Sequence, residues 1–95
     1  MNRISIIIPA LNEQKNISKL LKHLEDSSQT NHIEEVIVVD GGSNDKTVLK
    51  AKAKNATVLF TDKSRAIQMN FGAKHAKGNI LYFLHADSFP PKGYD

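Results

Sequence analysis

The apolar residues of the chain fall into short compact runs that alternate with longer stretches of helical spacing. The compact runs are rich in β-branched residues, as in strands buried on both faces of a parallel sheet. They cover residues 4–8, 35–39, 56–60 and 80–84. Between them apolar residues recur every three or four positions, as in an amphipathic helix. The first such stripe contains Ile17, Leu20, Leu21 and Leu24. The pattern predicts strands and helices in strict alternation.

Polar and small residues mark where each predicted helix begins and ends. Asn12 and Ser43 are suited to cap the first and second helices, and the third begins near Ser64. Asn55 suits the left-handed position that closes the second helix, and Gly78 suits the same position after the third. The third helix is predicted to pack through a narrow face of small residues and one methionine, namely Ala66, Met69, Ala73 and Ala76.

Strands that alternate with helices form a parallel sheet with right-handed crossovers and helices on both faces. We therefore predict an open, Rossmann-like α/β half-sheet, for which we assume the strand order 3-2-1-4, and residues 1–95 are expected to form a single incomplete domain. A sheet of this size buries little surface, and its last strand presents an open edge. We expect it to be the N-terminal half of a larger domain, or to be completed by a partner or by self-association.

Composition narrows the classes of function. The chain has 13 Lys and Arg against 10 Asp and Glu, a net charge of +3, and no cysteine. The positive excess suits an anionic ligand, but the basic residues have helix-surface spacing, so nucleic-acid binding is not predicted. Without cysteine there is no disulfide, thiolate metal site or Cys nucleophile. No apolar run reaches the roughly 18 residues of a membrane span, and no signal peptide is evident, so we expect a cytoplasmic protein.

Acidic residues follow three of the four predicted strands. In open parallel sheets, ligands bind beyond the carboxyl ends of the strands, where the strand order reverses. With order 3-2-1-4, Glu13, Asp40 and Asp87 converge there. Carboxylates that meet repel each other unless a cation or a hydrogen-bond donor joins them, so a hard divalent ion is a candidate ligand. Alternatively, Asp40 caps its Gly-Gly turn and Glu13 favours a helix N-terminus.

Two further side chains are expected near the same edge of the sheet. His85 lies two residues before Asp87, and imidazole can ligate a divalent ion or bind a phosphate. Arg65, in the first turn of the third helix, opposes the helix dipole. It is therefore a candidate to hold a diphosphate or carboxylate, the alternative being an exposed Arg with no partner. The two common glycine-rich phosphate fingerprints are absent, which disfavours a Rossmann dehydrogenase or a P-loop nucleotidase.

Three segments in this order and spacing resemble family 2 glycosyltransferases. They are residues 5–13, 36–47 and 78–87. The stretch 65–73, followed by 84–87, looks most similar to a bacterial subgroup named for its association with radical-SAM and selenoprotein-related genes. The resemblance covers nearly the whole chain, and three motifs together are far more specific than any one of them.

The resemblance implies a GT-A fold whose N-terminal half binds a nucleotide-diphospho-sugar. The implied activity is transfer of the sugar to an unknown acceptor, for which a peripheral-membrane or lipid-linked molecule is one candidate. The protein itself would then act at the inner face of the membrane. Mg²⁺ or Mn²⁺ held by Asp87 would neutralise the diphosphate leaving group. In this family the segment like Pro9–Glu13 and the aspartate like Asp40 contact base and ribose. The implied donor-binding residues are Pro9, Ala10, Leu11, Glu13, Asp40, Gly41, Gly42, Ser43, Arg65, Asn70, His85 and Ala86.

The chain also departs from the family pattern. Gly41 stands where many relatives have a base-contacting aspartate, and His85 replaces the first carboxylate of an Asp-x-Asp motif. The general base and the acceptor site belong to the second half of such enzymes, so no catalytic residue is assigned. We expect no sugar transfer by these 95 residues alone. Two alternatives remain: a non-catalytic nucleotide-sugar or metal-binding module completed by a partner chain, and a nucleotidyltransferase-like enzyme.

Overall fold

A computed structural model describes residues 2–30 and 32–95 of the protein. Strands and helices alternate in it along the chain, as the sequence predicts. The elements are β1 (Ile4–Ala10), α1 (Ile17–Ser27), β2 (Ile33–Asp40), α2 (Thr47–Ala53), β3 (Thr57–Phe60), α3 (Arg65–His75) and β4 (Ile80–Phe83). None of the described helices has the length and apolar character needed to cross a membrane.

The four strands form one parallel sheet in the order β3-β2-β1-β4, which confirms the predicted topology. β1 lies between β2 and β4 and is the most deeply buried strand. Ile6 and Ile8 pack into the core on one face, whereas Ile7 packs into a smaller core on the other. All three are fully buried. Burial on both faces explains why this strand is a continuous apolar run and not an alternating one.

Helices cover both faces of the sheet. The predicted stripe of α1, including Leu20 and Leu24, is buried against Ile6 and Ile8. On the other face α3 packs through Gly72, where an added Cβ would lie 2.6 Å from Cγ2 of Ile7. The predicted small-residue face of α3 is confirmed only in part, because Ala73 and Ala76 pack against the cluster around Ile7 but do not form the most deeply buried positions of the helix. The residues that α3 buries are Gln68 and Gly72, while Ala66 is exposed and Met69, Ala73 and Ala76 are half-buried.

The predicted caps of the first two helices are also wrong. Asn12 has a left-handed backbone (φ 53°), which an N-cap does not adopt, and α1 begins five residues later at Ile17. Likewise, α2 begins at Thr47 and not after Ser43. Its first turn is closed by Asp45, whose Oδ1 accepts from the backbone N–H of Thr47 at 2.9 Å. Both loops are longer than predicted because their polar side chains bond to each other, as described below.

At the remaining helix ends, two predictions are confirmed and one is wrong. Ser64 caps α3, since its hydroxyl accepts from the backbone N–H of Ile67 at 3.4 Å. Asn55 adopts the predicted left-handed conformation (φ 65°) after α2. Gly78 does not close α3, which ends at His75. Glycine is required at position 78 for a different reason, because a Cβ there would lie 2.6 Å from the carbonyl oxygen of Arg3.

Beyond β4 the chain runs back along α1. The Tyr94 hydroxyl donates to the carbonyl of Leu24 at 2.9 Å, and burial raises the pKa of Tyr94 to about 12. The Asp95 carboxylate accepts from the Ser28 hydroxyl at 2.5 Å and from the backbone N–H of Gln29 at 2.9 Å. The Ser28 hydroxyl is the main reason why the pKa of Asp95 lies well below its usual range. These contacts fasten the last described residues to the end of α1.

Candidate functional site

A cavity of about 450 Å³ opens at the carboxyl ends of the central strands, where ligands bind in open parallel sheets. We call it the carboxyl-end cavity. The residues after β1, the first turns of α3 and the residues after β4 form its walls. They are Pro9, Ala10, Leu11, Glu13, Lys63, Ser64, Arg65, Gln68, His85, Ala86 and Asp87.

The loop after β2 is folded around a buried carboxylate. Asp40 is 2 % exposed, and Oδ2 accepts from the backbone N–H groups of Gly42 at 3.0 Å and Ser43 at 2.8 Å. Its Oδ1 accepts from the Ser43 hydroxyl at 2.5 Å. Gly42 has a φ of 104°, a value that favours glycine. Asp40 is therefore engaged in capping its own turn, which was the structural alternative for this residue.

Hydrogen bonds tie this loop to the loop after β1. While the Ser43 hydroxyl donates to Asp40, its oxygen accepts from the backbone N–H of Asn12 at 2.8 Å. The Asn12 side-chain oxygen accepts in turn from the backbone N–H of Asn44 at 2.8 Å. The backbone N–H of Glu13 donates to the Thr47 hydroxyl at 2.8 Å. The lining residues that follow β1 are thus positioned by the loop after β2 and the first residue of α2.

Asp45 strengthens the same junction. Its carboxylate accepts from the hydroxyl of Thr47 at 2.5 Å and from the backbone N–H of Gln14 at 3.3 Å. The Thr47 hydroxyl is the largest cause that lowers the pKa of Asp45. The ionised carboxylate is the better acceptor for these donors, so the junction is held by charge-assisted hydrogen bonds at neutral pH.

Two side chains suited to phosphate meet on the opposite wall. Nη1 of Arg65 lies against the imidazole of His85, in contact with Nδ1 and 3.1 Å from Nε2. A guanidinium only donates, whereas an imidazole can donate or accept according to its tautomer. Lys63 lines the cavity beside them. Arg65 therefore has a partner within the site, and its other donors are available to an anion.

The acidic residues are arranged differently from the expectation. Glu13 and Asp87 both line the carboxyl-end cavity, but Asp40 does not. Among residues 2–30 and 32–95, no three His, Asp or Glu side chains form a group that could hold a metal. The three carboxylates do not converge, because Asp40 turns into its own loop. Asp87 is exposed, and its carboxylate receives no hydrogen bond from any described residue.

The cavity contains eight of the predicted site residues, namely Pro9, Ala10, Leu11, Glu13, Arg65, His85, Ala86 and Asp87. The five predicted residues outside its lining are Asp40, Gly41, Gly42, Ser43 and Asn70. Asp40, Gly42 and Ser43 build the loop behind the wall, as described above. Sequence reasoning missed Lys63, Ser64 and Gln68. The helical spacing carries a signal for Gln68, since it lies three residues after Arg65 and so on the same side of α3.

A second cavity, of about 460 Å³, lies at the opposite end of the sheet, and we call it the tyrosine cavity. Tyr94 lines it together with Leu21 and Leu24 of α1 and Val36 of β2. Although it is equally large, it is distant from the carboxyl ends of the strands. It has one Lys and one Glu among its lining residues and none of the paired phosphate-binding groups. The chemistry of the lining residues, and not the cavity volume, therefore favours the carboxyl-end cavity as the functional site.

Comparison with known proteins identifies the family of the chain. The family model for glycosyl transferase family 2 matches residues 5–95. The chain therefore belongs to glycosyl transferase family 2. It is 32% identical over 102 residues to a dolichyl N-acetyl-glucosaminyl phosphate diacetamido-dideoxy-glucuronosyltransferase of Methanococcus voltae, and 40% identical over 94 residues to a 4,4′-diaponeurosporenoate glycosyltransferase of Staphylococcus haemolyticus. The matches cover 99% and 88% of this chain.

Solved structures show the same fold. Glucosyl-3-phosphoglycerate synthase of Mycobacterium tuberculosis, in complex with Mn²⁺, UDP and its product, superposes with a TM-score of 0.75 at 25% identity over 90% of this chain and 33% of its own. A mannosyltransferase of Pyrobaculum calidifontis superposes with a TM-score of 0.83 at 24% identity, over 97% of this chain and 29% of its own. These neighbours confirm the predicted GT-A fold.

The chain spans 32% and 24% of the lengths of the two curated relatives. The matching region is thus a defined part of proteins that are about three to four times longer. The finer assignment, to the subgroup associated with radical-SAM and selenoprotein-related genes, stays a prediction.

Proposed function

We propose that residues 1–95 form the donor-binding half of a glycosyltransferase that takes a sugar from a nucleotide-diphospho-sugar. The observation that carries this proposal is one cavity with the Arg65–His85 pair on one wall and an uncommitted Asp87 carboxylate at its edge. A guanidinium binds phosphate oxygens in bidentate fashion, and a carboxylate in the same cavity would be suited to hold a divalent metal. The family membership of the chain supports this interpretation.

Different walls of the cavity suit different parts of the ligand. Lys63, Arg65 and His85 suit the diphosphate, because each offers hydrogen-bond donors or positive charge. The neutral wall after β1, which includes Ala10 and Leu11, suits the nucleoside. The loop residues Asp40 and Ser43 act on that wall through hydrogen bonds and do not line it. We propose that they position the site and do not contact the donor.

A divalent metal fits these residues. Mg²⁺ is usually bound by one or two carboxylates together with substrate phosphates and water, so Asp87 needs no cluster of protein ligands. Glu13 lines the same cavity, but its Oε1 already accepts from the side chain of Asn16 at 3.2 Å. We therefore assign Mg²⁺ or Mn²⁺ to Asp87. A structural neighbour that holds Mn²⁺ and UDP supports this assignment. The metal would act as a Lewis acid on the departing diphosphate.

The acceptor and the location of the protein are proposed on the evidence of a relative. The Methanococcus relative is named for a dolichyl-linked substrate, and dolichol is a membrane lipid. We propose a lipid-linked acceptor, reached at the inner face of the membrane. The check uses membranes from cells that express the intact glycosyltransferase, incubated with a labelled nucleotide sugar: we expect label in the organic-solvent extract that membranes without the enzyme do not give. Label found only in water-soluble products would contradict a lipid acceptor.

The edge of β4 is proposed to pair with a second copy of the chain. β4 is the last strand in the sheet order, and Ile80, Leu81 and Phe83 are each 40% exposed. An exposed apolar edge strand favours association. Sedimentation velocity should show a dimer that Leu81→Lys converts to monomer, whereas Leu49→Lys, 66% exposed on α2, should leave it intact. A monomer at all concentrations would exclude this mode of association.

The donor-binding proposal is tested by calorimetric titration of the protein with UDP and GDP, with and without Mn²⁺. We expect at least one of the nucleotides to bind, and to bind more tightly when Mn²⁺ is present. Asp87→Asn keeps the shape of the side chain but removes its charge, so the gain from Mn²⁺ should fall by about 1.5–3 kcal/mol. Asp62→Asn removes an exposed carboxylate outside the lining and serves as the matched control.

Equal nucleotide affinity of Asp87→Asn and the unaltered protein in saturating Mn²⁺ would show that Asp87 is not the metal ligand. Failure of the unaltered protein to bind either nucleotide would contradict the donor site itself.

A further inference from the structure

Gln68 joins two strands at the floor of the carboxyl-end cavity. Its side chain is 5% exposed, and Nε2 donates to the backbone carbonyl of Ala10 at 3.0 Å and to that of Val39 at 2.8 Å. Two carbonyl acceptors require the NH₂ end of the amide, so the orientation of the side chain is fixed by chemistry. Both donors of Gln68 are consumed in bridging the ends of β1 and β2.

The amide oxygen of Gln68 is left for another partner. It receives no hydrogen bond from any described residue. Yet in residues 2–30 and 32–95, no fully buried side-chain oxygen or nitrogen lacks a partner. Oε1 is therefore not fully buried, and Gln68 is one of the residues that line the carboxyl-end cavity. A largely buried amide with both donors used presents a bound molecule with an acceptor only.

Gly41 provides the space for this amide. A Cβ at position 41 would lie 3.0 Å from both Cδ and Oε1 of Gln68 and 3.1 Å from Nε2. Contacts this short would force the amide to move, and its bridge to the strand ends would be disturbed. Glycine at 41 and glutamine at 68 are thus matched, with the amide resting on the bare backbone.

We propose that Oε1 of Gln68 accepts a hydrogen bond from the nucleoside part of the bound nucleotide, an inference that rests on the proposed function. Gln68 is neutral and contacts Ala10, whose wall suits the nucleoside, whereas the phosphate-binding side chains of the cavity are Lys63, Arg65 and His85. The donors that we assign are the protonated ring nitrogen of uracil or guanine and the ribose hydroxyls. Cytosine and adenine carry an exocyclic amino donor, but the lone pair of the ring nitrogen beside it repels an acceptor. Gln68 is then a specificity-determining contact.

The test measures nucleotide affinities in the presence of Mn²⁺ for the unaltered protein and for Gln68→Met. The pyrimidine nucleotides are UDP, CDP and 2′-deoxy-UDP, and GDP and ADP are the purine pair. CDP matches UDP in size but lacks the ring N–H. We expect the unaltered protein to bind UDP at least about tenfold more tightly than CDP, or GDP at least about tenfold more tightly than ADP. Gln68→Met should reduce that ratio of affinities to within about threefold. If Gln68→Met instead removes a preference for UDP over 2′-deoxy-UDP, the ribose is the donor and the proposal also holds.

Ile67→Ala, in the same turn of α3 and 50% exposed, is the control and should keep the unaltered ratios. If Gln68→Met weakens every nucleotide by the same factor, Gln68 only bridges the strands and the proposal is overturned. If that variant does not fold, the affinities of the unaltered protein decide. The proposal is overturned if UDP, CDP and 2′-deoxy-UDP bind with affinities within about threefold of one another and GDP and ADP do the same. If no nucleotide binds at all, the proposed function fails and the inference with it.

Discussion

The site depends on one buried carboxylate and the hydrogen bonds that it requires. Burying an ionised Asp is costly unless its oxygens are satisfied, and Asp40 achieves this through two backbone N–H groups and the Ser43 hydroxyl. The turn that supplies these donors needs a left-handed Gly42. Because the same Ser43 oxygen accepts from Asn12, the turn after β2 also fixes the loop after β1. A charge inside one loop therefore sets the position of a wall formed by another.

The packing of α3 completes the arrangement. Gly72 lets the helix approach the sheet so closely that Gln68 can reach the carbonyls at the ends of both β1 and β2. Arg65, one turn earlier on the same helix, is brought to His85 after β4. The floor and the walls are thus held by hydrogen bonds between elements distant in sequence, while Asp87 stays exposed. Preorganised walls with one uncommitted ligand suit a site that receives a metal together with its nucleotide.

Local patterns were sufficient for the fold and insufficient for the loops. The apolar runs and the stripe of α1 predicted the strands and one helix face, because burial of β1 on both sides leaves a strong signal. The strand order was assumed and is confirmed by the sheet. Asn12 and Ser43 were predicted as helix caps because that is their commonest local role. Their observed partners lie 31 or 32 residues away in the chain. Glycine is likewise required at positions 72 and 78 by the close approach of another element, which sequence spacing does not show.

The central claim is that the carboxyl-end cavity, and not the equally large tyrosine cavity, receives the nucleotide. Amide ¹H–¹⁵N spectra recorded during titration with UDP or GDP and Mg²⁺ test it most directly. The account predicts shift changes at residues 10–13, 63–68 and 85–87, with Leu21, Leu24 and Tyr94 at the other end of the sheet unchanged. Changes confined to Leu21, Leu24 and Tyr94, or to the outer surfaces of the helices, would contradict it.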